Sequence, residues 1–239
     1  MKGFIKRIAN QFGYDIQHLP TDPIERQQLD LLRKHNINLI FDVGANVGQY
    51  ALKMRKLDYL GQIVSFEPQP NAFQEVKLKA DLDPNWTVVE CAIGNYSGET
   101  QINVSQNSYS SSILEVMPVH LESAPESAYL HKVGVPITTI DAIIDRYCHP
   151  GTNLYIKVDT QGFERQVFEG CRQSLDKIRG FQMELSLVPL YEGETLMQEM
   201  VDLLRGHGFK LVLIEGGHRN YETGELLQVE GYFYRSYHN

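Results

Sequence analysis

The sequence predicts one α/β domain, a mostly parallel sheet wrapped by helices on both faces. Three observations predict it. Apolar strand-like runs alternate with helical patterns along most of the chain. An apolar run at 38–43 enters a glycine turn that opens a helix. The last two strand-like runs are joined by a segment too short for a crossover helix. Size allows the plan, since 239 residues with 42% apolar content can bury one sizeable core.

Taken in order, Asp22-Pro23-Ile24-Glu25 has the form of a helix start, an Asp cap with proline in the first turn, followed by Ile24, Leu31 and Leu32 on one face. Strand 38–43, helix 47–57, strand Gln62–Phe66, helix 71–82 and strand 86–93 follow, with Trp86 in the core. A turn at 94–98 leads to a short strand at 99–105. From 106 to 134 Ser, Pro, Ala, Tyr and His mix without a period, which reads as a functional lid or binding loop. Order returns at 135–147, an extended piece and then a helix, before the apolar strand Leu154–Val158. Helices Glu164–Glu169 and 173–177 lead to strand 180–187. Helix 194–207 comes next, with Leu196, Met200, Leu203 and Leu204 at helical spacing. Runs at 209–214 and 226–234, joined across Tyr221-Glu222-Thr223-Gly224, predict an antiparallel hairpin at the end of the sheet. Residues 1–37 thus read as an N-terminal helical cap and 38–239 as the main domain, with a lid insertion at about 106–134.

Charge and cysteine content narrow the function classes. A net charge of −8 and a pI near 5.5 argue against nucleic acid as a partner. Cys91, Cys148 and Cys171 are odd in number and lack metal-ligand spacing, so they read as reduced residues of a cytoplasmic protein. Lys2, Lys6 and Arg7 surround Phe4, Ile5, Ile8 and Phe12, but no apolar stretch follows. That pattern predicts no signal peptide and no membrane span, and a helix packed on its own domain. Oligomeric state is not legible, and a homodimer stays open.

The glycine turn Gly44-Ala45-Asn46-Val47-Gly48 carries the chemistry. Gly44 and Gly48 are expected to let the backbone approach a ligand, with the first helix amides free to donate. No third glycine completes a dinucleotide fingerprint and no Lys-Ser/Thr completes a phosphate loop. Asp42 would repel a pyrophosphate but receive an ammonium group. Glu67 ends the next strand, where a doubly wound fold places an acid on the ribose hydroxyls. A ligand with an ammonium, a ribose and an adenine but no phosphate fits, namely S-adenosylmethionine.

With these residues in hand, the chain resembles the FkbM-type S-adenosylmethionine-dependent methyltransferases over roughly residues 39–235. The matching pieces are Phe-Asp-Val-Gly-Ala-Asn-Val-Gly-Gln-Tyr from Phe41, Ser-Phe-Glu-Pro from Ser65, and the run Ser110-Ser111-Ser112. Tyr-Ile-Lys-Val-Asp-Thr-Gln-Gly-Phe-Glu from Tyr155 and Glu-Leu-Ser-Leu-Val-Pro-Leu-Tyr-Glu-Gly from Glu184 complete them. The resemblance implies a Rossmann-like class I methyltransferase, with a seven-stranded, mostly parallel sheet and one antiparallel strand. It also implies O-methylation of a small-molecule hydroxyl, on a sugar or secondary metabolite. Carried over, Asp42, Gly44, Ala45, Asn46 and Gly48 cradle the methionine end and Glu67 takes both ribose hydroxyls beside Pro68. Ala92 and Ile93 wall the adenine, and Ser111 with its neighbours contacts cofactor or acceptor. Where many members carry an acid, this chain has Gln161.

Methyl transfer from a sulfonium rests mainly on positioning, but a hydroxyl acceptor also wants a base or a metal for its proton. Asp159 is the first candidate base and Glu184 the second, and the two could jointly ligate a hard divalent ion. The alternative for Asp159 is a cap on the helix after Gly162. His120 and His131, in the irregular stretch, are further candidate bases or simply solvated. Lys157 reads as a sheet-end charge, and Tyr109, Tyr129 and Tyr191 as surfaces on which a sugar ring could stack. Two other functions compete: a cofactor-binding module without turnover, and a nicotinamide oxidoreductase, which the missing glycine disfavours.

Overall fold

The computed structural model describes residues 22–235. The basic-apolar segment 1–12 and the rest of the expected cap up to residue 21 lie outside the described residues. In chain order the elements are α1 (Pro23–Lys34), β1 (Leu39–Val43), α2 (Gln49–Lys56), β2 (Gln62–Phe66), α3 (Pro70–Ala80) and β3 (Trp86–Val89). Then come β4 (Ala92–Ile93), β5 (Gly98–Ser105), α4 (Pro118–Ser123), β6 (Tyr129–Thr138), α5 (Ile140–Ile143) and β7 (Leu154–Val158). The chain continues through α6 (Glu164–Glu169), β8 (Ile178–Ser186), α7 (Met197–Gly206), β9 (Phe209–Gly216) and β10 (Gln228–Arg235). The helical start at Asp22 forms as expected, with its carboxylate accepting from the Ile24 amide at 2.7 Å.

The main sheet has seven strands in the order β3-β2-β1-β7-β8-β10-β9. Its strands are parallel except β10, which runs antiparallel to both β8 and β9. Every residue of β1 and β7 is buried, as central strands covered on both faces must be. One apolar cluster joins Phe41, Ile156, Phe168 and Phe181 to α7 through Met200 and Leu204. Another joins Leu32 of α1, Met54 of α2 and Val76 of α3 to Ile40 and Trp86. Strand order reverses between β1 and β7, and in open α/β sheets a ligand crevice opens beyond the strand ends at such a point.

Three local expectations differ from the structure. The run at 86–93 is two strands, because the Cys91 amide turns back onto the Val89 carbonyl at 3.1 Å; β3 stays in the main sheet while β4 joins a second one. That second sheet, β4-β6-β5, takes up the end of the stretch at 106–134, whose aperiodic look has a physical cause. Residues 130–132 of β6 are exposed, so no apolar alternation marks that half of the strand, and α4 supplies a further six residues of order. Finally, α7 starts at Met197 and not at 194, because the Glu194 carboxylate is spent on the Leu190 and Tyr191 amides and on the Ser186 hydroxyl.

Candidate active site

At the reversal point lies a cavity of about 400 Å³. Its lining comes from the ends of β1 and β2, the turn at 44–46, β4, the segment 108–113, and the β7-β8-β10 side of the sheet.

The β1-β2 half is built largely from backbone. Gly44 (φ +76°) and Asn46 (φ +46°) curl the turn back so that the amides of Gly44 and Ala45 bond the Phe66 carbonyl at 3.0 and 3.1 Å. The Asn46 amide donates to one oxygen of Glu67 at 2.7 Å and the Gln69 amide to the other at 2.9 Å. Burial pushes the Glu67 carboxyl up to about 7, and those two amide bonds oppose the rise. Each carboxylate oxygen keeps an acceptor site, so Glu67 presents to the cavity what a vicinal diol requires. The Asn46 side-chain oxygen is buried without a hydrogen-bond partner, and Cys91, Ala92, Ile93 and Phe163 form an apolar wall nearby. A diol acceptor, an orphaned acceptor and an apolar slot are a fit to an adenosine-bearing ligand.

The β7-β8-β10 half is built from side chains. Lys157 lies 3.4 Å from Asp42 and 3.3 Å from Asp159, donates to the Gly44 carbonyl at 3.2 Å, and sits over the Tyr50 ring at 5.6 Å. Burial works against its charge, but Asp159 and Asp42 outweigh it and hold the ammonium above its ordinary range. Gln161, at φ +56°, spans the next gap: its amide nitrogen donates to Asp159 at 2.8 Å and to Glu184 at 2.6 Å. Its amide oxygen accepts from the Tyr191 hydroxyl at 2.6 Å, and its backbone carbonyl from the Ser112 hydroxyl at 2.6 Å. Burial, then Asp159 and Glu230, raise the Glu184 carboxyl well above the usual range, and burial followed by Asp159 brings Glu230 up to about 7. The cavity thus presents the carboxyls of Glu67, Asp159, Glu184 and Glu230 against the ammonium groups of Lys53 and Lys157, a bias that suits a cationic ligand.

Residues 42–211 match the methyltransferase FkbM domain. The chain belongs to the FkbM methyltransferase family. It is 28% identical over 191 residues to the 2-O-methyltransferase NoeI of Sinorhizobium fredii (strain NBRC 101917 / NGR234), a match that spans 76% of each chain. It is also similar in fold to the methyltransferase FkbM of Methylobacillus flagellatus KT, at a TM-score of 0.50 and 16% identity. That likeness covers 83% of this chain and 44% of the other, so the chain spans less than half of that protein. The seven-stranded sheet and the family match make this chain a Rossmann-like methyltransferase.

In this FkbM methyltransferase, Gly44, Ala45, Asn46, Glu67, Pro68, Ala92, Ile93, Ser111, Asp159 and Glu184 all line the one cavity. Asp42 does not: it is fully buried, bonded by the Ser65 hydroxyl at 2.9 Å, with Lys157 against its other oxygen. An ammonium already fills the place where Asp42 was expected to receive one from a ligand. Gly48 lies outside the lining too, since a Cβ there would meet Trp86 and Val76 at 2.8 Å; its role is helix packing. His131 is exposed on β6 opposite Val104, and His120 is buried beside Ser127 with its ring edge-on to Tyr191. Neither lines the cavity, and burial, with His218, pushes the His120 imidazole down to about 4. Tyr191 is too buried to stack on a ligand and the Tyr129 hydroxyl is bonded to the Leu114 carbonyl, whereas Tyr109, 57% exposed, does line the cavity.

Asp159 caps no helix; Glu164 instead accepts from the Thr160 and Gly162 amides at 2.8 and 3.3 Å. Nor do Asp159 and Glu184 make an ion-ligating pair, because the Gln161 amide stands between them. Among the described residues no group of three or more His, Cys, Asp or Glu is placed to hold a metal ion. Among those residues no helix is long and apolar enough to cross a membrane. The sequence marked Gln161 only as a departure from the family pattern, gave no role to Gln182 or Glu230, and read Lys157 as a sheet-end charge. One signal was available for Lys157, a lone cation inside an apolar run that has to be a central strand.

Proposed function

We propose that this methyltransferase carries a methyl group from S-adenosylmethionine to a hydroxyl oxygen of a small acceptor, a sugar or secondary metabolite. The observation that carries the reading is the single acidic cavity across the strand-order reversal, with Glu67 and the apolar wall at one side and Asp159, Gln161 and Glu184 at the other. Glu67 would hold the ribose hydroxyls, Ala92 and Ile93 the adenine, and Asn46 with the turn at 44–46 the amino-acid end. When bound there, the cofactor supplies an electrophilic methyl group on a positively charged sulfur. Lys157 anchors Asp159 and Gln161 fixes the spacing between Asp159 and Glu184, so the acceptor oxygen meets prearranged groups. The relative named as a 2-O-methyltransferase supports oxygen as the acceptor atom. The acid lining and the net charge of −8 favour a small molecule over a nucleic acid.

The test is an acceptor screen with S-adenosylmethionine over free and glycosidically linked sugars, aromatic and aliphatic alcohols, and RNA. The expected result is a mass gain of one methyl on a hydroxylated small molecule with matching S-adenosylhomocysteine. Methylation of RNA alone would overturn the acceptor class. Cofactor binding without turnover on any acceptor would leave a binding module.

A further inference from the structure

Glu184 of β8 and Glu230 of β10 face each other directly in the antiparallel register. Their Cβ atoms therefore stand roughly 4.5–5.5 Å apart on the same face of the sheet, and both residues line the cavity. Each is held by one glutamine amide. Gln161 donates to one oxygen of Glu184 at 2.6 Å, and Gln182 to one oxygen of Glu230 at 3.0 Å. The Gln161 oxygen takes the Tyr191 hydroxyl at 2.6 Å, and the Gln182 oxygen takes the Gln28 amide of α1 at 3.0 Å. Both glutamines thus turn only their NH2 ends to the acids. The second oxygen of each glutamate has no hydrogen bond to the described residues. Asp159 is placed otherwise, with Lys157 against one oxygen and the Gln161 amide on the other, so both of its oxygens already have partners.

We propose that Glu184 and Glu230 are a coupled carboxyl pair that holds one proton between them, and that Glu184, ionised while Glu230 keeps that proton, takes the hydroxyl proton of the acceptor. This rests on the reading of the chain as an O-methyltransferase. In the step, the acceptor oxygen bonds the methyl carbon as the carbon–sulfur bond breaks. The electron pair of that bond stays on sulfur, and the hydroxyl proton passes to the free oxygen of Glu184. Glu230 touches no reacting atom; it is a positioning residue that sets when Glu184 can accept a proton, because two half-buried like charges this close resist ionising together. The other charges facing the pair are Lys157 of β7, Asp159 just past its end, Glu164 of α6 and Glu215 of β9. Burial raises both carboxyls, which places such a base nearer neutral pH than a solvated glutamate.

The test is a carbon-13 NMR titration of the protein labelled at its Glu carboxyl carbons, for wild type, Glu184→Gln and Glu230→Gln. S-Adenosylhomocysteine calorimetry serves as the check that each variant keeps its cofactor site. In wild type the pair should titrate in two steps; in either variant the upper step should vanish and a single step remain below it. With an acceptor from the screen, the acid limb of turnover should move in Glu230→Gln as the Glu184 resonance moves, while Glu184→Gln loses about 10²–10⁴-fold. An upper step that survives in both variants overturns the pair, whatever the activity. Normal turnover by Glu184→Gln overturns its role as proton acceptor. Coupled steps with no methyl transfer to any acceptor overturn the reaction reading, and the substrate role of the pair falls with it.

Discussion

The two halves of the cavity are made by different means. Beside β1 and β2, one turn of the chain does the work: the amides of Gly44 and Ala45 fold back on Phe66, and those of Asn46 and Gln69 hold Glu67. Beside β7, β8 and β10, the same cavity is lined by side-chain contacts, a chain from Lys157 through Asp159 and Gln161 to Glu184 and a second from Gln28 through Gln182 to Glu230. The first half depends on backbone conformation and tolerates few changes of shape. The second depends on which polar atom faces which, and its protonation answers to its neighbours.

If that contrast holds, substitutions should separate binding from turnover. Glu184→Gln is expected to give the largest effect, about 10²–10⁴-fold in turnover, with S-adenosylhomocysteine affinity retained by calorimetry. Loss of both together would erase the distinction between the halves. Glu67→Ala should cost about 1.5–3 kcal/mol of cofactor affinity, the range for hydrogen bonds to a charged group. An unchanged affinity in a folded variant would remove Glu67 from the ribose site.

The same residue predicts a pH dependence. Hydroxyls donate best to the ionised carboxylate, and the Glu67 carboxyl is brought up to about 7, so affinity should rise as pH increases through about 7. Glu67→Gln should flatten that rise; a slope that persists would assign it to another group.

Gly44→Ala tests the backbone half directly. Its φ of +76° and a Cβ position 1.8 Å from the Asp159 carbonyl leave no room for a side chain. Left-handed strain alone costs about 1–2 kcal/mol, and at this chain length each kcal/mol lowers Tm by about 2–4 °C. A thermal melt equal to wild type would show that the turn can relax.

The smallest effect is expected from Tyr191→Phe, which removes the hydroxyl that fixes the Gln161 amide and should cost about 0.5–1.5 kcal/mol. It should appear in turnover and not in cofactor affinity. A change confined to cofactor affinity would join the two halves that the geometry separates.

Legibility followed the same division. Gly44, Asn46 and Glu67 stand out because local chain conformation demands them, and a strand, a glycine turn and an acid at the next strand end can be read in order along the sequence. Gly48 has the same sequence signal but serves the packing of Trp86 and Val76, a difference that only the contact reveals. Asp42 was legible as an acid at a strand end, but not as one already paired with Lys157, because that pairing comes from β1 and β7 lying side by side across more than a hundred residues of chain. Residues 130–132 of β6 read as loop because their strand carries no buried face there.

The sequence by itself determined the alternating α/β plan, the closing hairpin and the acid at the end of the second strand. Those features follow from periodicity, turn chemistry and the short distances over which a backbone can reach. Only the tertiary structure decided which polar groups share the β7-β8-β10 side of the cavity. Gln161, Glu184 and Glu230 come together because β8 and β10 pair antiparallel in a register that sets Glu184 opposite Glu230, and because the Gln161 loop turns inward beneath Tyr191. No residue along the chain announces that pairing, since register is set by the packing of the whole sheet and not by any one strand.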